Sequence, residues 1–109
     1  MAGTFTTAVL ADGQLPNTQT AIFTGAASTI TYVKRISFYN TNAAQQTIDV
    51  YLNVSGTPRK WRRYVLDQHQ SAELLETGDA IVLEASDTIE AITTTASAVD
   101  YYICGVKET

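Results

Sequence analysis

Apolar and polar residues alternate with a period of two along much of this chain, which is typical of half-buried β-strands. The clearest run covers residues 47–54, where every second side chain is aliphatic and most of the others are polar. The inward positions that this run predicts are Ile48, Val50, Leu52 and Val54. We therefore expect a strand with one face on a core and one face in water.

A second alternating run covers residues 30–39. Its predicted core face consists of Ile30, Tyr32, Ile36 and Phe38, and Lys34 interrupts that face. Between the two runs lies a polar tip, residues 40–45, that is rich in turn-forming residues. The two runs together predict an antiparallel hairpin.

Six shorter segments with strand character complete the pattern. They cover residues 5–10, 20–24, 60–66, 80–83, 88–93 and 98–106. About eight strands at this close spacing predict an all-β fold, a single antiparallel two-sheet sandwich of the jelly-roll or immunoglobulin-like kind. No segment has a sustained helical period, so we expect little or no helix. Residues 67–76 are the one segment in which we would allow a short helical turn.

A length of 109 residues fits one domain. Residues 1–28 are interpreted as an N-terminal arm with the first short strands, and residues 29–109 as the body of the sandwich. The predicted core consists of Ile36, Phe38, Ile48, Val50, Leu52, Leu83, Ile89 and Ile103.

Composition narrows the class of protein. The chain has a formal net charge of −4 and a single cysteine, so it cannot form an internal disulfide. The first residues lack the basic and apolar regions of a signal peptide. No apolar run approaches the ~20 residues of a membrane span. These features predict a soluble product made in the cytoplasm that does not contact a membrane.

Catalytic and metal-binding patterns are absent from the sequence. His69, the single histidine, lies in a polar stretch that predicts a surface turn, and no nucleophile motif accompanies it. One cysteine and one histidine cannot build a tetrahedral metal site, and the glycines occur singly rather than in a phosphate-binding loop. Cys104 falls in an apolar strand and is expected to be buried and inert. We expect no enzyme activity and no cofactor.

The distinctive feature is a basic strand. Four of the seven cations lie within five residues, around a single tryptophan: Arg59, Lys60, Trp61, Arg62 and Arg63. Three interpretations remain open: a protein interface, a solvated edge strand whose charges prevent aggregation, and a surface for single-stranded nucleic acid. The acidic net charge disfavours nucleic acid. For an interface, the expected partners of the cations are acids such as Glu84, Asp87 and Glu90 of a neighbouring subunit.

Several pieces of the chain resemble small β-sandwich structural proteins of tailed bacteriophages. The matching pieces, which cover about three-quarters of the chain, are Ile36, Asn40 and Thr41; Ile48, Val50, Tyr51 and Leu52; Gly78 and Asp79; residues 81–85 with Asp87, Ile89 and Ala91; and Ile103, Gly105 and Val106. Ser86 departs from the pattern, which has glycine at that place.

The resemblance implies a virion structural protein that decorates or cements the capsid. A neck, tail or fibre-attachment component is the alternative within that class. The implied partners are the major capsid protein or other virion proteins, and the implied form is a symmetric homo-oligomer such as a trimer. Outside the class, a carbohydrate-binding module that uses Trp61 and Tyr64 is the remaining alternative.

Overall fold

The computed structural model describes residues 3–75 and 79–109, and these residues form nine strands. Their bounds are β1 (Phe5–Gln14), β2 (Thr20–Thr24), β3 (Ile30–Asn40), β4 (Gln46–Val54), β5 (Thr57–Leu66), β6 (Ser71–Glu73), β7 (Ile81–Leu83), β8 (Thr88–Thr93) and β9 (Val99–Glu108). The described residues contain no helix, and therefore none long and apolar enough to cross a membrane. The predicted all-β sandwich is confirmed, with nine strands in place of about eight.

The strands form two antiparallel sheets. One has five strands in the order β1-β9-β3-β6, with β7 also paired to β3, and the other has four in the order β2-β8-β4-β5. The pairs are nested: β1 with β9, β2 with β8, β3 with β6 and β7, and β4 with β5. The chain therefore folds back on itself as one long hairpin wrapped across two sheets, which is the jelly-roll form of the sandwich.

The predicted hairpin between residues 30–39 and 47–54 is wrong. β3 lies in the five-stranded sheet and β4 in the four-stranded sheet, so the polar tip between them carries the chain across the sandwich. The physical reason is that each strand has one apolar face, and the two faces are buried towards each other from opposite sheets. The observed hairpin joins β4 to β5 through Ser55 and Gly56, which both have positive φ, at 63° and 89°.

The core lies between the two sheets. Seven of the eight predicted core residues are fully buried, and Leu52 is half-buried. The predicted inward face of β3 is correct only in its second half. A β-bulge at Lys34 shifts the register against β9, so Thr31 and Val33 point inwards where Ile30 and Tyr32 were expected.

Residues 3–28 pack into both sheets. β1 pairs with β9 along its whole length, with a bulge at Leu10, and β2 pairs with β8. The side chains of Leu15 and Ile22 join the core. β1 and β2 are edge strands of their sheets.

Two buried amides fix the loops at one end of the sandwich. The Asn40 side chain donates to the carbonyls of Leu66 at 3.0 Å, Ala44 at 3.1 Å and Asp67 at 3.2 Å. The Gln46 side chain accepts from the backbone N–H of Thr95 at 2.9 Å and the hydroxyl of Thr93 at 3.2 Å. These bonds satisfy polar groups that would otherwise be costly to bury.

Candidate interaction surfaces

The basic strand is β5, an edge strand of the four-stranded sheet that pairs with β4. Arg63 forms a two-pronged ion pair with Asp49 of β4, with nitrogen–oxygen distances of 2.7 and 3.1 Å, and Lys60 lies 3.7 Å from the same carboxylate. The hydrogen bond from Arg63 lowers the pKa of Asp49 against the opposing effect of burial. Two of the four cations are therefore committed to an acid of their own chain.

Arg59 and Arg62 have a different setting. Both are exposed, and within residues 3–75 and 79–109 neither forms an ion pair. The Arg62 guanidinium lies over the Trp61 ring at 4.5 Å from its centroid, a cation–π contact. Trp61 is the extra residue of a β-bulge, because Arg62 pairs with Val50 while Lys60 pairs with Tyr51.

Glu84, Asp87 and Glu90 were expected to pair with the cations of a neighbouring subunit. Two of them, Asp87 and Glu90, instead accept hydrogen bonds within this chain. Glu90 accepts hydrogen bonds from Gln19 at 2.8 Å, Thr88 at 3.0 Å and Asn53 at 3.2 Å, and the bond from Gln19 makes the largest contribution to lowering its pKa.

The Asp87 carboxylate stabilises the turn in which it lies. It accepts from the backbone N–H of Glu84 at 3.0 Å and of Ser55 at 3.4 Å. The Glu84 side chain is exposed. Of these three acids, Glu84 is the one whose carboxylate we find facing solvent.

An open cleft of about 440 Å³ lies beside the basic strand and is lined by residues of β4 and β5 from one sheet and of β7 from the other. Its exposed lining is polar and apolar in equal measure, and the apolar side chains include Leu52, Val54, Leu75 and Ile81. Trp61, Arg62 and the carboxylate-bearing Asp79 also line it. The cleft is within the range of volumes typical of small-ligand sites.

The outer face of the five-stranded sheet carries an apolar surface that the sequence did not reveal. We define the outer patch as Phe5 and Val9 of β1, Cys104 and Val106 of β9, and Val82 of β7. Phe5 is 62% exposed, Val9 55% and Val82 52%. Register places Val9 opposite Cys104, so the patch crosses neighbouring strands. Large apolar patches on a protein surface commonly mark interaction sites.

Cys104 was expected to be buried, and this expectation is wrong. Its side chain is half-buried and points away from the core, because Ile103 and Gly105 are the inward residues of β9. A run of apolar residues on both faces of β9 is the signal that could have indicated the outer patch.

The remaining candidate residues do not converge. His69 is exposed in a turn, and its Nδ1 lies 2.9 Å from the Tyr39 hydroxyl. Tyr64 packs edge-on against Phe38, with 6.4 Å between ring centroids, so it does not form an open aromatic pair with Trp61. In the part of the chain that the structure describes, no three His, Cys, Asp or Glu side chains are grouped as metal ligands would be.

The fold is shared with a known structural protein. No protein-family model matches the chain, and no curated protein matches it. Among solved structures, the chain is similar to a protein of Bacillus endospore appendages, which form disulfide-linked pili. The two are 19% identical, with a TM-score of 0.52, and the match covers 98% of this chain and 89% of the other. The likeness establishes a common fold.

Proposed function

We propose that this chain is a structural subunit of a repetitive protein assembly, and that its copies associate through the outer patch. The observation that carries the proposal is the contrast between the two outer faces of the sandwich. On the four-stranded sheet, Asp49 and Glu90 are bonded to neighbouring side chains of the same chain. On the five-stranded sheet, Phe5, Val9 and Val82 expose apolar side chains to solvent, although the Phe5 ring also lies 6.5 Å from that of Tyr32. Burial of that area is the usual driving force of subunit association.

The assembly is, on this proposal, a bacteriophage particle. Support comes from the resemblance of residues 36–52 and 81–91 to small phage structural proteins. Decoration of the capsid surface is the proposed role, with the major capsid protein as partner and the virion as location. Neck, tail and fibre-attachment positions remain the alternatives in this class.

A pilus-like filament is the second candidate, and the likeness to the endospore appendage protein favours it. The cysteine content limits how such a filament could be held together. With one cysteine in 109 residues, a copy can form one intermolecular disulfide, which joins two copies and does not extend a chain. A filament of these subunits would therefore depend on non-covalent contacts such as the outer patch.

Two matched substitutions test the use of the outer patch. Val9→Glu places a charge in the patch, whereas Val65→Glu places it on β5, where Val65 is exposed to nearly the same extent, at 50% against 55%. Sedimentation velocity should show that Val9→Glu shifts oligomers towards monomer and that Val65→Glu does not. Equal effects of the two variants, or a monomeric unmodified protein at high concentration, would contradict the proposal.

The location of the protein in an intact particle separates the possible assemblies. Cryo-electron microscopy should find regular copies over a capsid lattice if the protein decorates the head. A ring at one vertex or along a tail would indicate the neck or tail alternative, and a helical fibre of this subunit alone would indicate the filament.

A further inference from the structure

We infer that the edge of β5 binds an extended acidic segment of a partner protein, which adds to the four-stranded sheet as a fifth strand. The first observation is the position of β5. It is ten residues long, and on the side away from β4 no strand of the described residues covers it. Such an edge presents unpaired backbone N–H and C=O groups, which an incoming strand can pair with.

The charge of the edge indicates the chemistry of the segment. β5 carries four cations, and Asp49 neutralises part of that charge from the neighbouring strand. Arg59 and Arg62 remain exposed with no ion pair in residues 3–75 and 79–109. An acidic strand would place carboxylates within reach of these two guanidinium groups, which bind carboxylates with two parallel hydrogen bonds.

The cleft beside β5 would add side-chain contacts to the charge interactions that hold the segment. Side chains of an added strand alternate between the two faces of the sheet. Those on the inner face would point towards the cleft lined by Leu52, Val54 and Leu75. Asp79 at the same cleft would repel a carboxylate there. Arg62 lines the same cleft, and register places Arg59 opposite Leu52, so both guanidinium groups lie on the cleft side of β5. The segment is therefore expected to direct acidic residues towards Arg59 and Arg62, away from Asp79. Its apolar residues are expected to point towards Leu52 and Val54.

A second copy of this chain is a poor match for the segment. Its other edge strands have too few acids, because β1 contains one, Asp12, and β2 contains none. β6 contains one, Glu73, which already pairs with Arg35, and β7 contains none. No other edge strand among the described residues therefore offers the complementary charge, and we assign the segment to a different protein.

Single-stranded nucleic acid is the competing occupant, since it is also extended and anionic. Its bases would need an open aromatic face. The Trp61 ring is covered on one side by the Arg62 guanidinium, and Tyr64 packs on Phe38 in the interior. A peptide strand also satisfies the backbone groups of the edge, which a nucleic acid does not.

Trp61 provides a direct readout, because it is the single tryptophan of the chain and lies within the proposed site. The probe is a blocked ten-residue peptide that alternates Glu with Val. The controls are the same peptide with Lys in place of Glu, and a ten-nucleotide oligo-dT. The acidic peptide should change the Trp61 fluorescence saturably and shift the amide NMR signals of β5. Added salt should weaken this binding, and the basic peptide should have no effect.

Matched charge reversals localise the binding. Arg62→Glu should weaken binding of the acidic peptide about tenfold or more, because reversing a charge at a complementary interface is costly. Lys34→Glu, an equal charge change at an exposed position on the other sheet, should leave it unchanged. The inference is overturned if the acidic peptide does not bind, if both peptides bind equally, if oligo-dT alone binds, or if Lys34→Glu has the same effect. Val82 borders both the cleft and the outer patch, but Val9 lies on β1 at the far edge of the five-stranded sheet and does not line the cleft, so sedimentation of Val9→Glu reports on the subunit proposal independently.

Discussion

Among the residues that the structure describes, five other than glycine adopt left-handed backbone conformations, and four of them are serines in tight turns. Their φ angles lie between 56° and 70°, where a side chain normally costs energy. The residues are Ser28, Ser55, His69, Ser86 and Ser97. Ser86 is the place where the phage pattern has glycine, so the departure from that pattern falls on a strained position.

Replacing Ser86 with glycine should therefore stabilise the protein. Glycine relieves the left-handed strain but loses more conformational entropy on folding than serine does. The net gain in the free energy of unfolding is expected to be about 0.5–1 kcal/mol. Urea denaturation should show a higher midpoint with an unchanged slope. Ala85→Gly in the same turn is the control, because Ala85 does not have a positive φ, and that variant should lose stability. A destabilised Ser86→Gly variant would contradict the assignment of strain.

Thr31 carries an energetic cost of a different kind. The Thr31 hydroxyl is fully buried and finds no hydrogen-bond partner among the described residues. Thr31→Val removes that unsatisfied group at nearly equal volume, so it should be neutral or stabilise by about 1 kcal/mol. Thr93→Val, which breaks the bond to Gln46, should instead cost about 1–2 kcal/mol. Thermal unfolding of the two variants checks the difference, and a loss of stability in both would indicate a partner for Thr31.

At the scale of the strands, two β-bulges determine how the five-stranded sheet is built. Leu10 of β1 and Lys34 of β3 are the extra residues, and they flank β9 at nearly the same level, beside Cys104. Between them the backbones approach closely. A Cβ atom added to Gly105 would lie 2.1 Å from the Tyr32 carbonyl oxygen.

The Gly105→Ala substitution should therefore be severely destabilising, because backbone on both sides of the contact would have to move. We expect a loss of about 3 kcal/mol or more, enough to unfold a small domain of ordinary stability. Gly56→Ala, where the added atom meets nothing within 4 Å, should cost about 1–2 kcal/mol because of its positive φ. Circular dichroism under native conditions distinguishes the two. A folded Gly105→Ala variant of normal stability would be inconsistent with the close approach.

The bulges also explain what the sequence could and could not predict. Alternation correctly predicts Ile36 and Phe38 as inward because they lie on one side of the bulge. It fails for Ile30 and Tyr32 because one inserted residue exchanges the two faces, and a lysine within an apolar run is the one local sign of it.

Pairing between strands was less predictable than strand position. The sequence predicted β2 and β8 with their observed bounds, since each depends on local pattern. Nested pairing joins residues far apart in the chain, and no local feature encodes it. For the same reason the outer patch, assembled from β1, β7 and β9, did not follow from the sequence.

At the scale of the whole molecule, lowering the pH should reduce the free energy of unfolding. The pKa values of Asp49 and Glu90 are lowered in the folded state by hydrogen bonds, in the first place from Arg63 and Gln19. A lowered carboxyl pKa stabilises the fold above the unfolded values of about 3.9 and 4.3, and this stabilisation is lost as the pH falls through the folded pKa.

The free energy of unfolding should thus fall steadily as the pH is lowered from about 5 to about 2.5. Asp49→Asn should be less stable than the original protein at pH 7 and should lose less on acidification, because one of the two linked groups is gone. Urea midpoints across this pH range provide the measurement. Identical pH profiles for the two proteins would show that Asp49 is not linked to folding.

The central position of β9 in the five-stranded sheet has a consequence for how the protein is made. β9 pairs with both β1 and β3, and it is the last strand in sequence order. When the chain emerges from the ribosome, β3 can pair with β6 and β7 before β9 is made, but β1 pairs only with β9 and cannot join the sheet until residues 99–108 have also emerged. Folding therefore waits for translation of these residues and then depends on contacts across almost the whole chain, which are slow to form. The apolar inner faces of the early strands are exposed during that interval. Aggregation of nascent chains therefore competes with folding most strongly just before β9 leaves the ribosome.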